Sequence, residues 1–351
     1  MDTLPPPTTL EEARMQIRIS HLEQLSHANL TLTPPTVEDD STALPRCTDL
    51  KENLITWSRA HLDSIQKAIA HGALSGKNEV NWDYCFLAFL ESMTVYLRKW
   101  DKLYEAVQTF KEAKVGNGKL SDNEMQVVHD LYEDSESDIK EIAGIWGMDF
   151  MQICGVYNGM FGTFNDGDPL TPFQRVLGAL QKFVPTLKGE DKSDATFHIT
   201  GHSLGGSYSS FCFAQCMMQN AGGGLPPGTQ LGDLYNFGSP RVGQQAWSEA
   251  FYSNLSGKFQ GGAWRIVNDK DIVPQVPSLL KFKKTGPFYH IDNGITIFPN
   301  DKPAPIPTER DGPGNKDIGI NKEIFMLKLA AQPYHFPRSY YESMAYALRN
   351  R

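Results

Sequence analysis

Apolar and polar positions follow two different rhythms along this chain. In the first third the spacing is helical. Lys51 to His71 places Ile55, Leu62, Ile65 and Ile69 roughly on one face, and Asn81 to Lys114 opens with Trp82, Phe86, Phe89 and Leu90. A polar helical stretch from Thr9 to Leu30 precedes them, followed by the linker-like TLTPPTVEDDSTALP. In the second half, short runs rich in β-branched and aromatic residues alternate with helical runs. ATFHIT, DLYNFGSP and AWRIVN read as strands, whereas SLGGSYSSFCFAQCMMQ, GQQAWSEAFYSNL and the amphipathic RSYYESMAYALRN read as helices. FYHIDNGITIF places Asn-Gly between two apolar runs and predicts a hairpin. This alternation predicts an α/β fold, a mostly parallel sheet with helices on both faces and a helical N-terminal extension.

Bulk properties narrow the function classes. The chain has 351 residues and a formal net charge of -8. An acidic balance gives no electrostatic reason to expect nucleic acid or an anionic membrane as partner, although apolar contact with a lipid interface stays open. The first residues lack a cationic and then apolar leader pattern, and no apolar run reaches the ~18 residues of a membrane span. Cys47, Cys85, Cys154, Cys212 and Cys216 are odd in number and show no metal spacing. The expectation is a cytoplasmic protein in a reducing compartment, with no metal and no cofactor. The sequons at Asn29 and Asn254 then read as chance matches.

One motif carries chemistry. Gly201-His202-Ser203-Leu204-Gly205 is a G-x-S-x-G sequence, with a strand pattern ending just before it and a helical run beginning within it. A serine hydroxyl is a weak nucleophile until a base is brought beside it, and a sharp strand-to-helix turn presents it. Small neighbours relieve crowding at that turn, and Gly206 and Ser207 let the helix sit close to the strand. The same turn puts the Leu204 N–H at a helix N-terminus, where it can donate to a developing oxyanion. In this fold class the acid and then the base follow the serine along the chain. Asp269 and Asp271 follow the strand AWRIVN, and His290 and His335 come after them. His335 stands in a loop-like YHFPRS and suits the base better than His290, which falls inside a strand. The His202 side chain is expected to point away from the serine.

FHITGHSLGG, YNFGSPRVGQQAW and WRIVNDKDIVPQVP together resemble three successive blocks of the class 3 lipases, the fungal-type lipase family. The resemblance extends over about residues 130 to 350 and implies an α/β-hydrolase fold. It implies residues 1–50 as extension and linker, 51–120 as a helical region packing on the hydrolase, and 121–351 as the hydrolase domain. It also implies Ser203 as nucleophile, Asp271 rather than Asp269 as acid, and His335, ahead of Tyr340 and Tyr341, as base. The gap between His335 and that tyrosine pair is slightly longer than the family pattern.

The family's phenylalanine-basic-glycine-Thr/Ser segment, source of the second oxyanion donor, has no match here. Tyr132-Glu133-Asp134-Ser135 stands nearest, ahead of Trp146-Gly147-Met148-Asp149 and Val156-Tyr157-Asn158-Gly159. On that reading Ser135 is the donor and 136–150 a lid, with Ile139, Ile142, Ile145, Trp146 and Phe150 facing lipid. The same stretch also reads as an acidic helix with a core stripe, and its acidic pair would oppose an oxyanion. The implied function is hydrolysis of carboxylic esters of lipids. The alternatives are a weak or inactive lipase-fold protein that binds lipid or a partner, and a soluble small-ester or feruloyl-type esterase.

Overall fold

The computed structural model describes residues 6–27, 49–72, 79–117, 120–148, 170–187, 194–257, 259–275, 288–291, 293–307 and 333–350. The chain divides into two compact units that interleave in sequence. One comprises Met1–Ser41, Thr94–Ala195 and Leu225–Thr229, and the other Thr42–Met93, Thr196–Gly224 and Gln230–Arg351.

The first unit is helical. Leu10–His27, Trp100–Asn117 and Asp122–Ser135 bury Leu22, Leu103, Val107, Phe110, Val128 and Tyr132 in one cluster. Asp122–Ser135 starts at a capping box, in which Ser121 accepts from the Glu124 N–H and Glu124 reaches back to the Ser121 N–H. At its other end Glu136 is buried between Arg98 (3.0 Å) and Arg18 (3.3 Å). Both guanidiniums lie over the Tyr132 ring, at 4.9 and 5.6 Å from its centroid. A buried carboxylate survives only with such partners, and losing one of them costs about 3–5 kcal/mol.

The second unit is built on a five-stranded sheet. β1 is Ala195–His202, β2 Thr229–Phe237, β3 Gly243–Gln244, β4 Ala263–Asn268, β5 Phe288–Tyr289, β6 Gly294–Ile297 and β7 Ala304–Ile306. The sheet runs β1-β2-β4-β6-β7. β2–β4 and β4–β6 are parallel, and β7 is antiparallel to β6. The Ala195 N–H meets the Gly228 carbonyl at one end of β1 and the Ser203 N–H meets that of Phe237 just past the other, so β1 runs with β2. All six residues of β4 are buried, as expected of a strand covered on both faces.

Two local expectations give way to tertiary pairing. FYHIDNGITIF is not a hairpin. Asn293 has the positive φ of 60° that an Asn-Gly turn invites, but β6 is held by β4 on one side and β7 on the other. β5 pairs instead with β3 in a separate two-stranded sheet. The stretch 51–71 is two helices, Leu50–Ala60 and Leu62–His71, with His61 (φ -127°, ψ 25°) between them. The break resets the helical phase. The buried face is Leu50, Leu54 and Trp57, then Ile65 and Ala68, while Ile69 is 39 % exposed. Trp57 stacks on Tyr341 of the last helix, Pro337–Arg349, at 4.4 Å.

Candidate active site

The site is assembled at the ends of β1, β2 and β4, where strands hand over to loops and helices. β1 ends at His202, and the helix Leu204–Gly222 begins two residues later. Ser203 makes the turn at φ 56° and ψ -130°, a conformation that a residue with a Cβ rarely adopts. The surroundings enforce it. A Cβ at Gly201 would run into the Gly205 carbonyl, and one at Gly206 would meet the Ser239 Cβ at 2.6 Å, whereas Gly205 opens onto free space. Gly201 is therefore the glycine of the motif that the turn cannot do without, and Gly206 sets how closely the helix approaches.

The structure brings Ser203, His335 and Asp271 together. The Ser203 hydroxyl donates to His335 Nε2 at 2.9 Å. His335 Nδ1–H donates to Asp271 Oδ2 at 2.9 Å and reaches Oδ1 at 3.1 Å. Asp271 is 1 % exposed and His335 4 %. Asp269 instead makes the preceding turn at φ 30°, its N–H bonded to the Ile297 carbonyl.

A second layer orients this array. Tyr340 O–H donates to Asp271 Oδ2 at 2.7 Å, and its oxygen accepts from the Asn268 N–H at 3.2 Å. The Val273 N–H donates to Asp271 Oδ1 at 3.0 Å. Asn268 Nδ2 donates to the Tyr334 carbonyl, and Ser343 donates to Asn268 Oδ1. The turn that carries His335 is thus tied to the end of β4. Burial, then the Asp271 charge, holds the Tyr340 hydroxyl well above the ordinary phenol range, so it stays a donor. Asn268 carried no signal in the sequence, because an asparagine at a strand end looks like any turn former.

His202 does not lie apart from the site. Its ring stacks on that of His335 at 4.6 Å, with 27° between the planes. His290 is buried elsewhere in the same unit and donates from Nε2 to the Pro274 carbonyl at 2.5 Å.

Leu204 is the first residue of its helix, where N–H groups have no intrahelical acceptor. Its side chain is 59 % exposed beside the serine. Ser135 ends the helix Asp122–Ser135 in the first unit. It is fully buried, and its hydroxyl donates to the Tyr132 carbonyl at 2.5 Å. Neighbouring Glu133 is paired with Arg18 and Lys140, so its charge is balanced locally. The helix Ser137–Trp146 buries Ile139, Ile142 and Trp146 as a core stripe, not as a lipid-facing surface. Phe150, the Val156–Gly159 segment, Cys47, Cys154 and Asn29 lie outside the described residues.

Among the described residues, Glu11, His129 and Glu133 place three ligand atoms within 4.8 Å of one another. Arg18 already fills the role of cation there, with its guanidinium 2.6 Å from His129 Nε2 and 3.1 Å from Glu133. Cys85, Cys212 and Cys216 are free, buried thiols. Among the described residues no helix is long and apolar enough to cross a membrane.

A mostly parallel sheet, a strained serine between strand and helix, and a carboxylate and an imidazole from later loops match the α/β-hydrolase fold. Residues 125–281 match the lipase (class 3) family, which is what this part of the chain is similar to. Ser203 and Asp271 fall inside the match, and His335 falls beyond it. The secreted mono- and diacylglycerol lipase 1 of Fusarium solani is 27% identical over 198 residues, covering 56% of this chain and 50% of that protein. Phospholipase A1-Igamma2, chloroplastic, of Arabidopsis thaliana is 30% identical over 134 residues, covering 35% of this chain and 24% of that protein. The chain thus spans half the length of the first relative and about a quarter of the second.

Proposed function

We propose that this protein is a serine hydrolase that cleaves carboxylic esters of lipids. The reading is carried by the Ser203–His335–Asp271 array, with both hydrogen bonds at 2.9 Å. As the Ser203 Oγ attacks an ester carbonyl, its proton passes to His335 Nε2. Asp271 keeps Nδ1–H of the imidazole turned inward and stabilises the imidazolium. The Leu204 N–H donates to the tetrahedral oxyanion. Collapse of that intermediate breaks the ester C–O bond, and His335 returns the proton to the leaving alcohol. Water then attacks the acyl-enzyme with His335 again as base. This releases the carboxylic acid and restores the Ser203 hydroxyl.

A lipid acyl ester is the substrate class we favour. Two relatives are named for acylglycerol and phospholipid cleavage, and the exposed Leu204 offers an apolar surface beside the nucleophile. Turnover should rise when the substrate passes from monomer to emulsion. An unchanged rate would favour a soluble esterase.

A second reading, a catalytically weak lipid binder, is favoured by one observation. The Ser135 hydroxyl is already engaged with the Tyr132 carbonyl. Loss of one oxyanion donor costs about 10²–10³ in turnover. Fluorophosphonate labelling of wild type and Ser203→Ala decides between the two. Labelling that vanishes in the variant supports the hydrolase, and a folded wild type that takes up no probe overturns it.

A further inference from the structure

His335 is held from three directions, and the reaction removes one of them. In the resting site the imidazole is bonded to Ser203 Oγ on one edge and to Asp271 on the other. Once Ser203 carries an acyl group, its hydroxyl hydrogen is gone and Nε2 has lost that donor. The imidazole must nevertheless stay in register until water arrives.

The third hold comes from His202, the residue just before the nucleophile. His202 Nε2 lies 3.1 Å from the backbone carbonyl of His335. A carbonyl only accepts, so Nε2 carries the hydrogen. The two rings lie face to face at 4.6 Å, and the Tyr340 ring meets His202 edge-on at 5.6 Å. His202 is 7 % exposed. Burial first, and then the proximity of His335, hold it well below the ordinary imidazole range. A neutral His202 can cover an imidazolium without repelling it. Its bond reaches the main chain of His335, and its ring blocks one face of the His335 imidazole. Neither interaction involves the serine hydroxyl, so both persist through the acyl-enzyme.

We propose that His202 is a positioning residue that keeps His335 in place after Ser203 is acylated, so that Nε2 can activate the hydrolytic water. This rests on the hydrolase reading and deepens it. The role is separable from general support, because it predicts an effect on one half of the reaction. Removal of His202 should slow deacylation far more than acylation, since Ser203 itself helps to hold the base during acylation.

The test is pre-steady-state hydrolysis of p-nitrophenyl butyrate by wild type, His202→Phe and His202→Gln, with intact mass measured during turnover. His202→Phe keeps a ring without a donor, and His202→Gln keeps a donor without a ring. Both are checked for wild-type unfolding midpoints before kinetics. Misplacement of a catalytic group by about 1 Å costs about 10²-fold. We expect His202→Phe to lose up to that factor in deacylation and only a few-fold in acylation. A larger burst and a butyryl adduct on Ser203 should accompany the loss, with partial rescue in His202→Gln. Equal slowing of both steps, or no change in either, overturns the inference while the hydrolase reading stands. A wild type that neither acylates nor takes up fluorophosphonate overturns both.

Discussion

A Cβ on Gly238 would stand 2.7 Å from Asp271 Oδ2. The same atom would lie 2.8 Å from the Tyr340 hydroxyl and 3.1 Å from His335 Cε1. Gly238 follows β2 at φ 58°, and its N–H bonds the Ile266 carbonyl of β4. The backbone between Asp271 and the strand that neighbours Ser203 is therefore packed to the limit. Gly238→Ala adds a left-handed backbone penalty of about 1–2 kcal/mol and displaces Asp271. The expected outcome is a folded, destabilised protein whose fluorophosphonate labelling is slower by about 10²-fold. Labelling at the wild-type rate would show that the site tolerates the extra methyl and that the packing argument is wrong.

The two candidate bases separate by substitution. His335→Ala removes the group bonded to both Ser203 and Asp271 and should abolish labelling with the fold intact. His290→Ala removes a donor to the Pro274 carbonyl and should lower stability by about 1–3 kcal/mol while labelling continues. Labelling and circular dichroism on both variants check this, and equal loss in two folded proteins would sink the assignment of His335.

Tyr340 and Asp271 should differ in degree. Tyr340→Phe takes one donor from Asp271 and the acceptor from the Asn268 N–H. A cost of about 1–2 kcal/mol in stability follows, and ester turnover should drop by about tenfold, the equivalent of 1.4 kcal/mol. Asp271→Asn offers Nδ1–H an amide and should cost about 10⁴-fold. If the two variants lose the same factor, Tyr340 is more than an orienting donor.

Stability should fall on the acid side of neutrality. Burial holds His21 down to about 3, with Arg98 and Arg175 adding to it. His202 and His290 are held well below the usual range, burial again leading. Unfolded, each takes up a proton near the ordinary value of about 6.5. Below that pH the unfolded chain binds more protons, so stability is present above it and declines as pH falls, by up to about 1.4 kcal/mol per pH unit per group. His198 has the opposite sign. Burial lowers it, but the charge and hydrogen bond of Glu91, with Asp233, outweigh burial and raise it. Its contribution is present at low pH and is lost as pH rises through the folded value. Half-buried His61 is lowered as well, by burial and then Arg349, so among the described residues four groups against one give a net fall between pH 7 and 5 in denaturant melts, and His21→Gln should flatten it. A midpoint constant over that range would contradict the burial of these imidazoles.

Much of the hydrolase fold could be read along the chain because its signals are local. β-branched runs, helical spacing and the glycines around Ser203 each act over a few residues, and the strand, turn and helix at positions 195–222 appear where the pattern puts them. The Asn-Gly dipeptide at 293–294 misleads for the opposite reason. Its turn preference is real, as the positive φ of Asn293 shows, but the backbone of β6 is satisfied by strands distant in sequence.

Sequence alone singled out Ser203, Asp271 and His335 as candidates and placed the serine between strand and helix, since residue type and order carry that information. The tertiary structure sets Asp271, which the resemblance already preferred to Asp269, against His335. It alone decided that Gly238 must lack a side chain, that Asn268 and Tyr340 brace Asp271, and that the His202 ring lies against His335. These relations join residues between 33 and 133 positions apart through the ends of neighbouring strands. They depend on which strands pair and how closely they pack, and no short window of sequence records either.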